Sequence, residues 1–465
     1  MTLELTLAIS LQDHETLERH LFPGDGLEAA AMLICGRAGT LRERLCVRSV
    51  IKVPYQECPE RTPVRLVWPG SYLERAIDAA DEIGGSVILI HSHPGGFFGF
   101  SEMDNLSDAQ TIPSLRYGST DETIDHGSAI MIPGGSIKAR LFKPCGAAYS
   151  IDRIFSIGDD IKGISKPDAT VPLPFSSQMT DSLKGYSACV VGASGTGSIV
   201  IENLCRRGIG KLVIIDYDIM KSKNLNRILN STTMDAQFGL HKTKMLKAAI
   251  VKYRPDIEIV TIEAAVETEE AIIAASGCDV IFSCVDTMEA RHYCDLMVRA
   301  FIIPLIDVGV TIPTRQQENK DVKIADVCGR IDYVRPDGPS LTDRGVVTPE
   351  GLYAEYLSRV DPSAFESQLE EGYLKGFAEE APSVLTLNMM GASLAVEEWM
   401  ARVFPYRHDA NSAHDRLFFS LAGCEFEYEK SDSQFHSAHD QLKGRGLCYP
   451  LLGFIQPAAN EKVAV

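Results

Sequence analysis

Two histidines set two residues apart at the end of an apolar run are the first feature of this chain that could do chemistry. In VILIHSHPGGFFGFSEMD, His91 and His93 occupy positions i and i+2 of an expected strand and leave the same sheet face. Asp104 follows eleven residues after His93, across a glycine-rich turn at Gly95, Gly96 and Gly99 that can fold a helix start back toward the strand. A His-His-Asp set leaves the fourth position of a tetrahedral zinc site open for water, and zinc lowers the pKa of such a water to about 7. A general base is still required. Glu28, in GDGLEAAAMLICG ahead of a strand, is the candidate, with Glu57 and Glu60 also upstream. Ser101, three residues before Asp104, is placed to donate a hydrogen bond to a developing oxyanion.

A second constellation lies in the other half. ACVVGASGTGS joins an expected strand to an expected helix and carries Gly192, Gly195 and Gly197, a turn whose backbone N–H groups can meet phosphate oxygens. Asp216 ends the next apolar run and suits ribose hydroxyls. That spacing also fits an NAD-dependent oxidoreductase. The following residues argue for a triphosphate instead: Asn224, Asn226 and Arg227 form a polar, cationic cluster in KSKNLNRIL, and Lys242 opens a helix. In SCVDTMEAR, Asp286 ends a further strand and is positioned to hold Mg²⁺ against phosphates, with Arg291 five residues on. Lys, Arg and Mg²⁺ together would stabilise the charge that develops when a carboxylate attacks the α-phosphate of ATP, which is adenylation.

The elements that must carry these residues divide the chain in two. Strand-like runs at Ala30–Ile34, Cys46–Val53, Val64–Trp68, Ser86–His91, Ser128–Ile132 and Ile137–Phe142, with a helix at Tyr72–Glu82, predict a mixed α/β domain over 1–157. The stretch 158–182 reads as a linker, because Ser, Asp, Pro and Gly dominate Ser156–Ser182 and apolar residues look too sparse for a core element. From 183 to 465, strands and helices alternate through Ala188–Gly192, Ser198–Arg207, Leu212–Asp216, Lys242–Tyr253, Ile257–Ile262, Thr268–Ala275 and Val280–Ser283, which predicts a Rossmann-like, doubly wound parallel sheet. A length of 465 residues suits two or three domains. With 45 Lys+Arg against 63 Asp+Glu the formal charge is −18, which argues against general nucleic-acid or anionic-membrane binding. No apolar run approaches membrane-span length, and the first twenty residues lack a secretory pattern, so a cytoplasmic location is expected. The twelve scattered cysteines, with no CxxC, read as reduced thiols.

The string His-Ser-His-Pro, six residues, Ser, two residues, Asp resembles the JAMM motif of the MPN/JAB metalloprotease family across roughly residues 1–150. That resemblance implies zinc ligation by His91, His93 and Asp104, an oxyanion contact from Ser101, Glu28 as base, and cleavage of peptide or isopeptide bonds after ubiquitin-like proteins. The second half, from about Leu183 to Val310 and again at SVLTLNMMGASLAVEEWM, resembles the ThiF/MoeB and ubiquitin-activating enzyme superfamily. Here the resemblance implies adenylation of the terminal Gly-Gly carboxylate of a ubiquitin-like protein, with ATP and Mg²⁺, a homodimer through this half and a conjugating enzyme as a candidate partner. Departures from that pattern are also legible. Ser340 and Asp343 stand in YVRPDGPSLTDRG where relatives carry zinc-binding cysteines, and no cysteine lies between Cys328 and Cys424. The thioester cysteine is therefore unassigned: Cys328 is the nearest thiol but its apolar neighbourhood suggests burial, and Ser340 would form only an oxyester. The relatives' arginine ahead of the nucleotide domain has no counterpart to which Arg153 can be aligned. The resulting expectation is a bifunctional enzyme of a prokaryotic ubiquitin-like pathway, of the conjugation, defence or sulfur-carrier kind. The alternative is a zinc isopeptidase whose adenylation-like half serves as a binding module.

Overall fold

A computed structural model of the chain describes residues 4–167, 170–316, 322–370, 384–430 and 439–453. Residues 168–169 of the expected linker and Ser383, which opens the expected C-terminal resemblance, lie outside these ranges. The N-terminal part is a nine-stranded mixed sheet. Its strands are β1 (Thr6–Ser10), β2 (Ala30–Ala38), β3 (Arg44–Lys52), β4 (Ser86–Ser92), β5 (His126–Met131), β6 (Ile137–Phe142), β7 (Ala148–Ser150), β8 (Arg153–Ile157) and β9 (Ile161–Gly163), in the order β9-β8-β1-β3-β2-β4-β5-β6-β7. Helices α1 (Leu11–Leu21), α2 (Ser71–Asp81) and α3 (Glu102–Gly118) accompany it. The helix starts are written in side chains: Ser10 accepts from the Asp13 N–H, and Ser101 forms a reciprocal capping box with Asp104.

Two sequence expectations are corrected here. The Val64–Trp68 run supplies only Leu66–Val67, paired with Glu60–Arg61 in a separate short hairpin. The stretch expected to lack core elements contains β9, antiparallel to β8, and its sparse apolar side chains Ile157, Ile161 and Ile164 are all buried. A few isoleucines suffice because each falls on the inward face.

The C-terminal part is an eight-stranded sheet in the order β12-β11-β10-β13-β14-β15-β16-β17. Strands β10 (Ser187–Val191), β11 (Lys211–Ile215), β12 (Glu258–Ile262), β13 (Val280–Ser283) and β14 (Leu305–Thr311) are parallel, as predicted. They are connected through helices that include α4 (Gly195–Arg207), α5 (Lys242–Ile250), α6 (Glu269–Ser276) and α7 (Met288–Phe301). An antiparallel extension of β15 (Cys328–Val334), β16 (Arg416–Ser420) and β17 (Glu425–Glu429) follows, with α8 (Leu385–Val403) packed on α4 and β14. No helix of the described residues is long and apolar enough to cross a membrane.

The two sheets share a core. Ala8, Ala38, Cys46, Phe155, Ile157 and Ile161 of the first part belong to the same buried cluster as β10–β15 and α7 of the second. Across this contact the fully buried Arg44 donates to the carbonyls of Phe301 (3.1 Å) and Ile302 (2.7 Å), the last carbonyls of α7, and pairs with Asp279 at 3.6 Å. Arg153 reaches the same carboxylate at 2.8 Å. The chain's later residues close the seam: the Gly36 N–H donates to Gly444, Gly444 to Arg299 and Leu447 to Arg37. A side chain at Gly36 would come within 2.3 Å of the Gly444 carbonyl, so the backbones meet only because neither residue has one. Because Arg44 lies dry between the halves, replacing it leaves Asp279 and two carbonyls short of a donor. We expect Arg44→Met to lower the unfolding free energy by about 3 kcal/mol, read from the shift of the denaturant midpoint.

Candidate functional site

Strand β4 ends at Ser92, so His91 is its penultimate residue and His93 lies just past its end. His91 is flanked by Ala30 of β2 and Ile130 of β5. The rings converge: the Nε2 atoms of His91 and His93 are 3.0 Å apart, and Asp104 places Oδ1 3.1 Å from His91 and Oδ2 3.4 Å from His93. A tetrahedron with bonds of about 2.0 Å has edges of about 3.3 Å, and each histidine stands at about that distance from one oxygen of Asp104, a spacing that suits a zinc ion. The His93 Nδ1 lies 2.8 Å from the Phe97 carbonyl, which fixes its proton on that side and turns the Nε2 lone pair inward. Burial alone would raise the Asp104 carboxyl, but the two neighbouring imidazoles and the Ser101 N–H override it and hold the group well below the usual carboxylate range.

Glu28 joins the two histidines in a looser set whose ligand atoms lie within 4.8 Å of one another. Its backbone is fixed by Arg61, which donates to the Glu28 carbonyl at 2.7 Å, and by the Thr62 carbonyl, which accepts the Glu28 N–H. Burial pushes its carboxyl upward, against the pull of the imidazoles. The other upstream carboxylates are elsewhere: Glu57 accepts from the Tyr72 hydroxyl, and Glu60 pairs with Arg65. Ser101 is the N-cap of α3, its Oγ accepting the Asp104 N–H at 3.1 Å. That bond uses a lone pair and leaves the hydroxyl proton available.

Residues that sequence reading missed hold this group in place. Asp108, one helical turn beyond Asp104 and buried, accepts from Arg140 (2.7 and 3.1 Å) and from the Ser128 hydroxyl. Arg140 also donates to Asn105 and lies 3.7 Å over the Phe100 ring. One guanidinium on β6 thus clamps the segment that presents Ser101 and Asp104. A polar residue spaced by one helical turn from a ligand was the available signal.

In the second half the glycine turn leaves the carboxyl end of β10. Gly192 has φ +88°, a left-handed value, and a side chain at Gly197 would sit 1.7 Å from the Gly192 carbonyl, so α4 packs onto the strand end only with glycine there. Ser194, unlike Ser10, Ser101, Thr268 and Thr287 at other helix starts, makes no side-chain capping bond. The first amides of α4 are free of a side-chain cap. Asp216 receives the Ala193 N–H at 2.6 Å and the Asp218 N–H at 2.8 Å, tying the turn to the end of β11, and burial pushes its carboxyl upward. Arg227 lies against the turn, its Cδ 3.4 Å from where a Gly195 side chain would start, and it donates to Lys223 and Asn226. Asn224 is buried and accepts from the Lys221 N–H; Asn226 and Asp286 are exposed.

Two expectations change in this half, those for Lys242 and Cys328. Lys242 is buried and paired with Asp218 at 2.6 Å instead of reaching out. Cys328 is half-buried and lines a cavity, contrary to the burial expected from its neighbours. Ser340 is fully buried, its N–H and hydroxyl both given to Asp343, which leaves it closed off from an acyl group. Arg153 is committed to Asp279. Asn388 on α8 was missed: buried, with its amide beside Gly195 and Thr196, it reaches the turn from about 190 residues away.

Comparison with known proteins finds two families in separate stretches of the chain. The model of the ThiF family matches residues 170–408, and that of prokaryotic homologs of the JAB domain matches residues 12–140. Ubiquitin-like modifier-activating enzyme 5 of Drosophila sechellia is 31% identical over 166 residues, covering 33% of this chain and 37% of that protein. The enzyme of the same name from Caenorhabditis elegans is 30% identical over 165 residues, covering 33% and 36%. The chain spans a little over a third of the length of these curated relatives. Among solved structures, the microcin C7 biosynthetic enzyme MccB in complex with N-formylated MccA aligns with a TM-score of 0.44 at 17% identity, covering 56% of this chain and 69% of that one. E. coli MccB with ATP aligns with a TM-score of 0.41 at 16% identity, covering 56% and 68%.

The clamp around Asp108 yields a measurable expectation. Arg140→Gln should weaken zinc binding roughly tenfold in competition against a chromogenic chelator, with the circular dichroism spectrum unchanged.

Proposed function

The chain belongs to the ThiF family and carries a JAB-type domain ahead of that region, and from this premise we propose a bifunctional enzyme of a ubiquitin-like pathway. Its C-terminal half adenylates the terminal carboxylate of a ubiquitin-like protein ending in Gly-Gly; its N-terminal half cleaves peptide or isopeptide bonds after such a modifier. The domain division 1–157, 158–182 and 183–465 is offered in the same sense, with β9 extending the first domain's sheet to Gly163. The observation that carries the reading is the convergence of Glu28, His91, His93 and Asp104 from three separate elements onto one point.

His91, His93 and Asp104 would hold zinc, which when bound supplies Lewis acidity and an acidified water. Glu28 takes up a proton on the cleavage side and returns it to the departing amine, a role suited to a carboxyl raised by burial. Ser101 donates its free hydroxyl proton to the tetrahedral oxyanion. In the other half, the amides of the Gly192–Gly197 turn and Arg227 receive ATP phosphates, Asp216 receives ribose hydroxyls, Asn224 and Asn226 frame the loop, and Asp286 would hold Mg²⁺. The modifier's carboxylate attacks the α-phosphate and pyrophosphate leaves, its charge met by Arg227 and by Lys242 once that lysine parts from Asp218. The cationic neighbourhood of Gly195 favours this over a nicotinamide site.

A second reading, in which the C-terminal half binds a modifier without activating it, is favoured by Lys242 being held by Asp218, by the burial of Ser340 and by the commitment of Arg153 to Asp279. ATP–pyrophosphate exchange distinguishes the two. Exchange that depends on a Gly-Gly-ending modifier and disappears in Asp286→Ala supports activation, and absence of ATP binding leaves the second reading. For the hydrolase, Glu28→Ala should retain one zinc per chain by metal analysis while peptide cleavage falls roughly 10²- to 10⁴-fold; full cleavage by that variant removes Glu28 from the reaction.

A further inference from the structure

Asp286 stands between two fixed points of the chain. On its near side the Cys284 N–H donates to the Val191 carbonyl at 2.8 Å, and a side chain at Gly192 would start 2.7 Å from the Cys284 carbonyl, so β13 leaves the sheet against the glycine turn. On its far side α7 begins, with Thr287 as N-cap accepting the Ala290 N–H at 3.4 Å. The two amides ahead of that bond, Met288 and Glu289, donate at 2.7 and 2.9 Å to the two carboxylate oxygens of Glu355. Only Val285, Asp286 and Thr287 lie between the anchored residues.

Glu355 lies 67 residues beyond Met288, on the helix Pro349–Val360. Thr348 caps that helix and Pro349 opens it, so its start is fixed by local sequence. Gly351, Glu355 and Arg359 recur every four residues and form one stripe, and all three meet the start of α7. A side chain at Gly351 would start 2.0 Å from the Met288 Sδ, and Arg359 pairs with Glu289 at 2.6 Å. The Arg359 pair is exposed and screened by water, whereas the half-buried Glu355 carboxylate takes two charge-assisted bonds at a helix N-terminus. Helices α4 and α7 thus differ: the first amides of α4 carry no side-chain cap, and the first three of α7 are all answered by side chains. The start of α7 is closed to phosphate, and what it offers the nucleotide site is the exposed Asp286, one residue ahead of the cap.

We infer that Glu355 is a positioning residue for Mg²⁺: by filling the N-terminus of α7 it holds the Asp286 backbone beside the glycine turn, and so raises the affinity of the ATP site for the metal. The inference rests on the adenylating reading for the role of Asp286. Glu355 also gives the helix Pro349–Val360 a task at the nucleotide site, in a stretch without a cysteine to carry a thioester. A cap that only stabilised α7 would act on ATP binding alike with and without Mg²⁺, and this difference decides between the two roles.

The test uses the full chain and the fluorescent analogue mant-ATP, titrated with Mg²⁺ or held in EDTA. Glu355→Gln keeps the size of the side chain but turns an amide N–H₂ toward one of the two helix N–H groups. It should raise the Mg²⁺ midpoint for mant-ATP binding roughly tenfold and leave binding in EDTA unchanged. In the ligand-free chain, hydrogen exchange followed by mass spectrometry should quicken at Met288 and Glu289. In an Asp286→Ala background the same change should add nothing to the Mg²⁺ midpoint. An unmoved midpoint, an equal loss in EDTA, unchanged exchange, or an additive shift in the Asp286→Ala background overturns the inference and leaves the adenylating reading standing. A wild-type chain that binds no mant-ATP removes the adenylating reading, and the inference falls with it.

Discussion

A charged side chain sealed between two sheets governs the architecture of this protein. Arg44 can be buried only if its charge and donors are answered, and all the answers come from the other half: the Asp279 carboxylate and the carbonyls that end α7. An arginine so placed restricts the ways the halves can sit, because any slippage strands an ion in a region that excludes water. Arg153, on the opposite side of Asp279, enforces the same register. Apolar burial around Cys46, Phe155 and Ile161 supplies the bulk of the attraction, and the ions select its geometry.

Both candidate sites use one structural device. Each sits where a strand ends and the chain turns toward a helix, and each depends on the first turn of that helix. In α3 the first turn is capped by Ser101, and the cap also orients Asp104, so helix stability and ligand geometry are coupled. In α4 the first turn lacks a side-chain cap, and what stabilises it is the close seating of Gly197 on the end of β10. One terminus presents a carboxylate and the other presents bare amides, which suits the first to a cation and the second to phosphate.

What could be read from the sequence was what is local. The histidine string and the glycine turn each lie within about a dozen and a half residues, so strand periodicity and turn chemistry were enough to bring their side chains together. Sites assembled over long distances were harder: Asn388 meets the turn across 192 residues, and Arg44 meets Phe301 across 257. Polar residues inside β15 and β16 disguised those strands, because Asp332 is buried by pairing with Arg330, Arg344 and Arg416, a network that in sequence resembles exposed loop. Strand β9 was hidden for the opposite reason, its few apolar residues diluted by Asp and Gly that turn outward.

The seam formed by Gly36 and Gly444 ties the stability of the two halves together. Since they share one core and are closed by the same late stretch of chain, a change that loosens either half exposes apolar surface of the other.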